Sequence, residues 1–254
     1  MTHEADQYAL QGKNIIVTGA GQGVGLAIAK AVLALGGRVA AVDVKAEGLD
    51  ALRALAPERV QAFAGSVTDR AFVQQVVDAA PVDGLVNNAG IVRAAMLHKM
   101  APEQWDEVIA VNLTGVFNFL QAASVQMLAR ARQDAGFHGS IVNISSDAGR
   151  RGTVGQINYG AAKAGVLGLT MCAARELAGA RIRVNTVCFG VVETPMTETV
   201  RSEKFRAAYL QQIPVGRWGT PEEVARPVCF LLADAASYVT GQHLSANGGL
   251  HIGF

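Results

Sequence analysis

Short apolar, β-branched runs recur along the chain: NIIVT (14–18), RVAAVD (38–43), VQAF (60–63), DGLVN (83–87), SIVNIS (140–145), RVNTVC (183–188) and HLSA (243–246). Longer stretches with apolar residues at helical spacing fill the intervals, as in Ile28, Val32 and Leu35. Alternation of this kind predicts βαβ units, and hence a parallel sheet with helices on both faces and ligands at the carboxyl ends of its strands. The strand runs are almost continuously apolar, as expected where a strand is buried on both sides. With no linker, repeat or low-complexity segment, residues 1–254 read as a single α/β domain: a Rossmann-like, doubly wound parallel sheet of about seven strands.

Composition narrows the partner. A chain of 254 residues that is 50% hydrophobic has enough apolar material for one large core. A net charge of +1, without a Lys/Arg cluster, argues against nucleic acid and for a small-molecule substrate. The N-terminal MTHEADQYAL lacks the apolar segment of a secretory signal, and no uninterrupted apolar run reaches membrane-spanning length, so a soluble cytoplasmic protein is expected. Cys172, Cys188 and Cys229 are widely spaced, which suits free thiols in a reducing compartment. The five histidines form no ligand pattern, so no metal site is expected.

The first strand runs into TGAGQGVGLAIAK, where Gly19, Gly21, Gly23 and Gly25 precede a helix. Such a turn lets backbone approach a pyrophosphate, which the free N–H groups of the helix start then receive. The spacing is TGxxxGxG through Thr18, Gly19, Gly23 and Gly25 rather than GxGxxG. The second strand ends at Asp43, an acid placed to accept hydrogen bonds from adenosine ribose hydroxyls.

Further along, GQINYGAAKAG carries Tyr159 and Lys163 four positions apart, one above the other on a helix face and surrounded by small residues. Alone, the pair could be a packing tyrosine and a solvated lysine. As chemistry, it is an acid–base group with a charged neighbour. Bringing a phenol from its usual ~10 to near neutrality takes about 4 kcal/mol, and an ammonium ~4 Å away supplies about 4 kcal/mol at an effective dielectric of ~20.

Taken in order, TGAGQGVG, VNNAG (86–90), Asn112, a serine and YGAAK resemble the motifs of the short-chain dehydrogenase/reductase superfamily over nearly the whole chain. The resemblance implies a nicotinamide cofactor and a catalytic set of Asn112, Ser146, Tyr159 and Lys163. Family spacing to the tyrosine selects Ser146 over Ser145, which is left to satisfy backbone groups. Lys163 would also bond the nicotinamide ribose, Ser146 would polarise the substrate carbonyl, and Asn112 would hold a water linking Lys163 to solvent. The alternative for Asn112 is a polar side chain bonding its own helix backbone. Small residues beside Tyr159 would give nicotinamide and substrate room.

Cofactor contacts implied by the family are Gly19, Gln22, Gly23, Val24, Gly25, Asp43, Val44, Ser66, Val67, Asn88, Ala89 and Gly90, with Tyr159 and Lys163. Val192 and Thr194 would join them from a loop over residues 191–212, whose 198–212 part reads as a plain surface helix. Three positions depart from the family pattern: Ser66 replaces an aspartate, Phe189 a proline, and Gln22 a basic residue of NADPH-preferring members. NAD(H) is therefore expected over NADP(H).

The finer likeness is to 3-oxoacyl-[acyl-carrier-protein] reductases and to 3-hydroxyacyl-CoA and 17β-hydroxysteroid dehydrogenases. It implies a 3-oxoacyl or 3-hydroxyacyl thioester. A small secondary alcohol, polyol or steroid is the alternative, and a non-catalytic dinucleotide sensor the remote one. GFHG and ELAGA stand where carrier-protein reductases present basic residues, which favours a CoA ester or free substrate over carrier-protein docking. The family also implies a homotetramer paired through helices over residues 103–130 and 158–177.

Overall fold

Each apolar run forms a strand in a computed structural model, which describes residues 4–253. In chain order the first elements are β1 (Asn14–Thr18), α1 (Gly23–Ala34), β2 (Arg38–Asp43), α2 (Ala46–Leu55), β3 (Val60–Ala64), α3 (Arg70–Asp78) and β4 (Gly84–Asn87). There follow α4 (Pro102–Ile109), a π-helical turn (Ala110–Thr114), α5 (Gly115–Gln133), β5 (Gly139–Ser146), the one-turn α6 (Ala148–Arg151), α7 (Ile157–Leu177) and β6 (Ile182–Phe189). Two short helices, α8 (Glu198–Arg201) and α9 (Glu203–Leu210), precede α10 (Pro221–Leu232) and β7 (His243–Ala246).

All strand pairs are parallel, in the order β3-β2-β1-β4-β5-β6-β7. The winding reverses between β1 and β4, which opens a crevice at the carboxyl ends of those strands. Successive side chains point to opposite faces, so Ile15 and Val17 join Ile28, Val32, Leu49 and Leu231 on one side, while Ile16 and Leu85 join Val76, Phe119 and Met127 on the other. Each such side chain contributes about 1.5–3 kcal/mol by leaving water. Local chemistry fixes the helix starts. The Asp69 carboxylate accepts from Ala71 and Phe72 N–H at the head of α3, and Thr220 and Glu223 form a reciprocal cap on α10 behind Pro221.

The continuous helical stretch Pro102–Gln133 is long and apolar enough to cross a membrane by length and composition, and 44% of its most apolar window is buried in the fold. Scattered polar residues break the apolar run in the sequence, yet the window's mean hydropathy is still 1.5. Here the stretch is a layer of the fold: Phe119, Ala123 and Met127 pack in the core, while Trp105, Phe117 and Val125 remain exposed.

Between the sheet and α7 lies a buried polar chain. Asn87 Nδ2 donates to Asn143 Oδ1 at 2.9 Å, and Asn143 Nδ2 donates to Thr170 Oγ1 at 2.9 Å. The Thr170 and Thr186 hydroxyls share a 2.6 Å bond. Residues from β4, β5, α7 and β6 are thus fixed in mutual register, and α7 is set against the end of β5. Asn143→Ala should deprive the buried Asn87 Nδ2 donor and the buried Thr170 Oγ1 acceptor of a partner and cost about 3 kcal/mol. Thermal unfolding followed by calorimetry should show a midpoint lowered by roughly 5–10 °C; a midpoint within a degree or two of the parent would show that the chain carries no such weight.

Candidate active site

At the end of β1 the chain reverses through Gly19, whose φ of 67° lies in the left-handed region that glycine tolerates. Gly25 packs so closely that a Cβ there would come within 2.0 Å of the Gly19 carbonyl oxygen and 2.5 Å of Asn88 Nδ2. Side chains hold this turn. Thr18 Oγ1 accepts from the N–H groups of Asn88 and Ala89, both at 3.0 Å. Asn88 Nδ2 donates back to the carbonyls of Thr18 (3.0 Å) and Gly19 (3.3 Å). The Asn88 Nδ2 group is thus engaged with the turn, while the residue still lines the cleft. Gln22 is exposed and makes no side-chain cap on α1, so the helix start keeps N–H groups free for an anion.

Asp43 ends β2 beside this turn. Its carboxylate accepts from Gly21 N at 3.0 Å and Lys45 N at 3.1 Å, and it makes no ion pair among the described residues. Gly21 leaves it room, since a Cβ there would meet the carboxylate at 3.0 Å. Val44 next to it is 68% exposed. Ser66 lines the same end, but its hydroxyl bonds Thr68 Oγ1 at 2.8 Å and accepts from Thr68 N, which leaves it less free for adenine than expected.

One cleft runs from here to the end of β5. Gly19, Gly23, Val24 and Gly25 line it beside Gln22, as do Asp43 with Val44, and Ser66 with Val67. Asn88, Ala89 and Gly90 form its middle, and Ser146, Tyr159, Val192 and Thr194 its inner end. Asn112 and Lys163, 0% and 3% exposed, lie beneath it. The β-carbon position of Gly90 is 3.4 Å from Asn112 Oδ1 and 3.7 Å from Lys163 Nζ, which shows how these two meet the floor.

Ser146 ends β5 beside the phenol of Tyr159, whose pKa its hydroxyl lowers, and its Oγ accepts from Ala148 N at 3.2 Å. Ser145 does what was expected of it, donating to the Lys163 carbonyl at 2.7 Å. Lys163 Nζ donates to the Ile144 carbonyl at 2.8 Å and stands 5.7 Å from the centre of the Tyr159 ring. Burial moves both groups towards neutrality. It raises the phenol above its ordinary value, against the Ser146 hydrogen bond, and lowers the ammonium to about 8, against its interaction with Cys188. The ammonium donates to a strand carbonyl, and desolvation rather than the lysine is the largest influence on the phenol in this arrangement.

Asn112 does not bond its own helix backbone, the alternative considered for it. Its amide forms two bonds to the backbone of Ile91, accepting from N at 2.8 Å and donating to O at 2.9 Å. The π-helical turn around it presents the side chain to the loop after β4 rather than to its own helix. The small residues near Tyr159 also serve packing more than expected. Gly149 presses on the Lys163 backbone, Gly160 on the Ala148 carbonyl and Gly165 on Leu113.

Sequence reasoning missed Asn158, whose Nδ2 donates to the carbonyls of Arg93 and Gln104 and whose Oδ1 accepts from Tyr159 N, anchoring the start of α7. Its place beside Tyr159 was the available signal. Also missed was the apolar wall of the inner cleft, formed by Ile91, Val111, Ile144, Phe189 and Met196. Helices α8 and α9 bury no residue, in keeping with a surface segment outside the cleft.

Residues 19–251 match the family model described as Enoyl-(Acyl carrier protein) reductase. A 3-oxoacyl-[acyl-carrier-protein] reductase FabG of Thermotoga maritima is 46% identical over 251 residues, covering 96% of this chain and 99% of its own. An acetoacetyl-CoA reductase of Rhizobium meliloti is 47% identical over 240 residues, covering 92% and 96%. Among solved structures, a gluconate 5-dehydrogenase from Burkholderia cenocepacia in complex with NADP and tartrate superposes with a TM-score of 0.91 at 32% identity, covering 98% of both chains. With the glycine turn, the acid at the end of β2 and the Ser–Tyr–Lys group on one parallel sheet, the chain belongs to the short-chain dehydrogenase/reductase superfamily of nicotinamide-dependent oxidoreductases.

Proposed function

We propose that the protein reduces a 3-oxoacyl thioester to its 3-hydroxy form with NADH. The observation that carries this reading is the Ser146–Tyr159 hydroxyl pair at the inner, apolar end of a cleft that begins at the glycine turn and Asp43. The turn without Cβ atoms, the uncapped α1 start and the Asp43 carboxylate fit a dinucleotide. When bound, the nicotinamide supplies the hydride. As charge grows on the ketone oxygen, Ser146 would donate a hydrogen bond to it and Tyr159 would deliver the proton. A phenol held above its ordinary value keeps its proton at neutral pH, which suits the reducing direction. Lys163, buried beneath the cleft, would steady the phenol and meet the nicotinamide ribose, and Asn112 would hold the Ile91 wall in place. The thioester is supported by the apolar inner wall and by the two reductase relatives.

A substrate panel tests the reading: acetoacetyl-CoA, a sugar-acid ketone and a simple secondary ketone, each with NADH and NADPH, followed by nicotinamide absorbance. Acetoacetyl-CoA should be reduced best, and Tyr159→Phe should cut its turnover at least ~10²-fold while dinucleotide binding persists. Parental turnover in Tyr159→Phe would sink the assignment.

The choice of NAD(H) rests on Asp43, since the gluconate dehydrogenase relative was solved with NADP. A 2′-phosphate beside that carboxylate sets like charges together, at about 4 kcal/mol per pair for ~4 Å and an effective dielectric of ~20. Lys45 is the nearby cation, and Gln22 offers no clamp. kcat/KM should favour NADH by more than about tenfold, and Asp43→Ala should narrow that gap. Equal use of both by the parent would overturn it.

Lys163 yields a check on stability. Its folded pKa of about 8 lies below the ~10.4 of an unfolded lysine, so between these values the unfolded chain binds more protons and stability rises with pH. The burden at pH 7 is about 3 kcal/mol. Lys163→Met escapes it, so its unfolding midpoint relative to the parent should fall steadily between pH 7 and pH ~10. A difference independent of pH would mean that the buried ammonium carries no such cost.

A further inference from the structure

Asp147, next to Ser146, is a carboxylate only 3% exposed, and it has no ion pair among the described residues. Asn247 Nδ2 donates to both of its oxygens, at 3.1 and 2.9 Å, and also to the His251 carbonyl at 3.0 Å. Asn247 is itself fixed, its Oδ1 accepting from Gly249 N at 2.9 Å. On the other side, Asp147 N donates to the Phe189 carbonyl at 3.0 Å, which extends the β5–β6 ladder by one rung past Ser146. Gly190, which leads on to Val192 and Thr194, donates to the Ala246 carbonyl at 3.3 Å. Its β-carbon position is 2.9 Å from the Asn247 Cα. Arg150 adds a second tie from α6 to β7, donating to Ser245 Oγ at 2.7 Å.

Three segments therefore meet around Asp147 and Asn247: the end of β5 and the turn after β6, which line the cleft, and the segment after β7, which lies behind them. Burying a carboxylate with one amide as its partner costs stability. Burial also raises this carboxyl's pKa, against Asn247, His251, Arg151 and Arg150. A neutral residue would fill the place at lower cost. Features that break a local rule in this way concentrate at functional sites.

We propose that Asp147 is a positioning residue, whose grip on Asn247 seats the segment after β7 beneath Ser146 and Gly190 and so sets the serine hydroxyl against Tyr159. This rests on the reading of Ser146 and Tyr159 given above. The glycine turn and Asp43 lie across the sheet on β1 and β2, so the end of the dinucleotide site that they form does not depend on the grip.

Four variants test it with acetoacetyl-CoA and NADH as the assay pair: Asp147→Ala, Asp147→Asn, Asn247→Ala and the double Asp147→Ala/Asn247→Ala. Asp147→Ala should lower kcat at least tenfold, in the range expected of a reacting group displaced by a fraction of an ångström to about 1 Å. The NADH dissociation constant, read by nicotinamide fluorescence, should stay within about threefold. Asp147→Asn keeps an oxygen that can accept from Asn247 and should recover most of the loss. The double variant should be no worse than the poorer single, because the two residues act as one contact. A kcat for Asp147→Ala within twofold of the parent would overturn the proposal. So would fully additive losses, or a fall in NADH binding and unfolding midpoint that parallels kcat in both Asp147 variants. Ser146→Ala separates the two readings: if it is inactive while Asp147→Ala is parental, only the positioning role fails, and if it is itself parental the site reading fails with it.

Discussion

The junction between the ends of β1 and β4 is the constraint on which the rest of this molecule depends. A parallel sheet wound in both directions parts its loops where the order reverses, and the crevice is useful only if its lips stay apart and fixed. No strand ladder can do this beyond the last rung. Here the Thr18 hydroxyl takes two N–H groups from the β4 end, and the Asn88 amide returns two bonds to the β1 end. The exclusion of any Cβ at Gly25 follows from that closeness, and α1 is thereby aimed at the crevice. Asp43, Gly90 and the floor over Asn112 all take their positions from it.

Against this rigid frame, the reactive end is assembled from groups that burial disfavours. Tyr159 is held protonated, Lys163 is pushed towards losing its proton, and Asp147 is pushed towards gaining one. None of these placements helps the chain to fold. Their cost is offset by the two apolar faces of the sheet and by the Asn87–Asn143–Thr170–Thr186 chain, whose members satisfy one another. That chain ties β5 to α7, the two elements that carry Ser146 and the Tyr159–Lys163 pair, so the same contacts that stabilise the interior also align the site.

The elements were legible because their signals are local. Strand bounds read from apolar runs agree to within a residue at each end, the spacing of the glycines marked the turn, and the choice between Ser145 and Ser146 agrees with the direction each hydroxyl takes. What the sequence hid were pairings between distant residues. Asn112 reaches Ile91 across 21 positions, and Asp147 reaches Asn247 across 100. No periodicity encodes such contacts. Spacing along a helix sets which side chains are neighbours, but burial and the nearest carbonyl decide which charge state each prefers.

The same distinction bears on substrate choice. Relatives of this chain include acyl-thioester reductases and a gluconate dehydrogenase, so the shared sheet, turn and Ser–Tyr–Lys group do not select between them. Selection must come from what faces the substrate beyond its reacting carbon. Among the residues lining the cleft, the charged ones are Asp43 and Lys45, both at the end beside the glycine turn. A sugar acid at the inner end would set a carboxylate and several hydroxyls against Ile91, Val111, Phe189 and Met196, and each polar group buried without a partner costs about 1–3 kcal/mol. An acyl chain against the same wall gains about 0.8 kcal/mol for each methylene it buries. Two or three such groups on either side of the comparison outweigh any difference at the carbonyl itself, which Ser146 and Tyr159 would treat alike in both substrates.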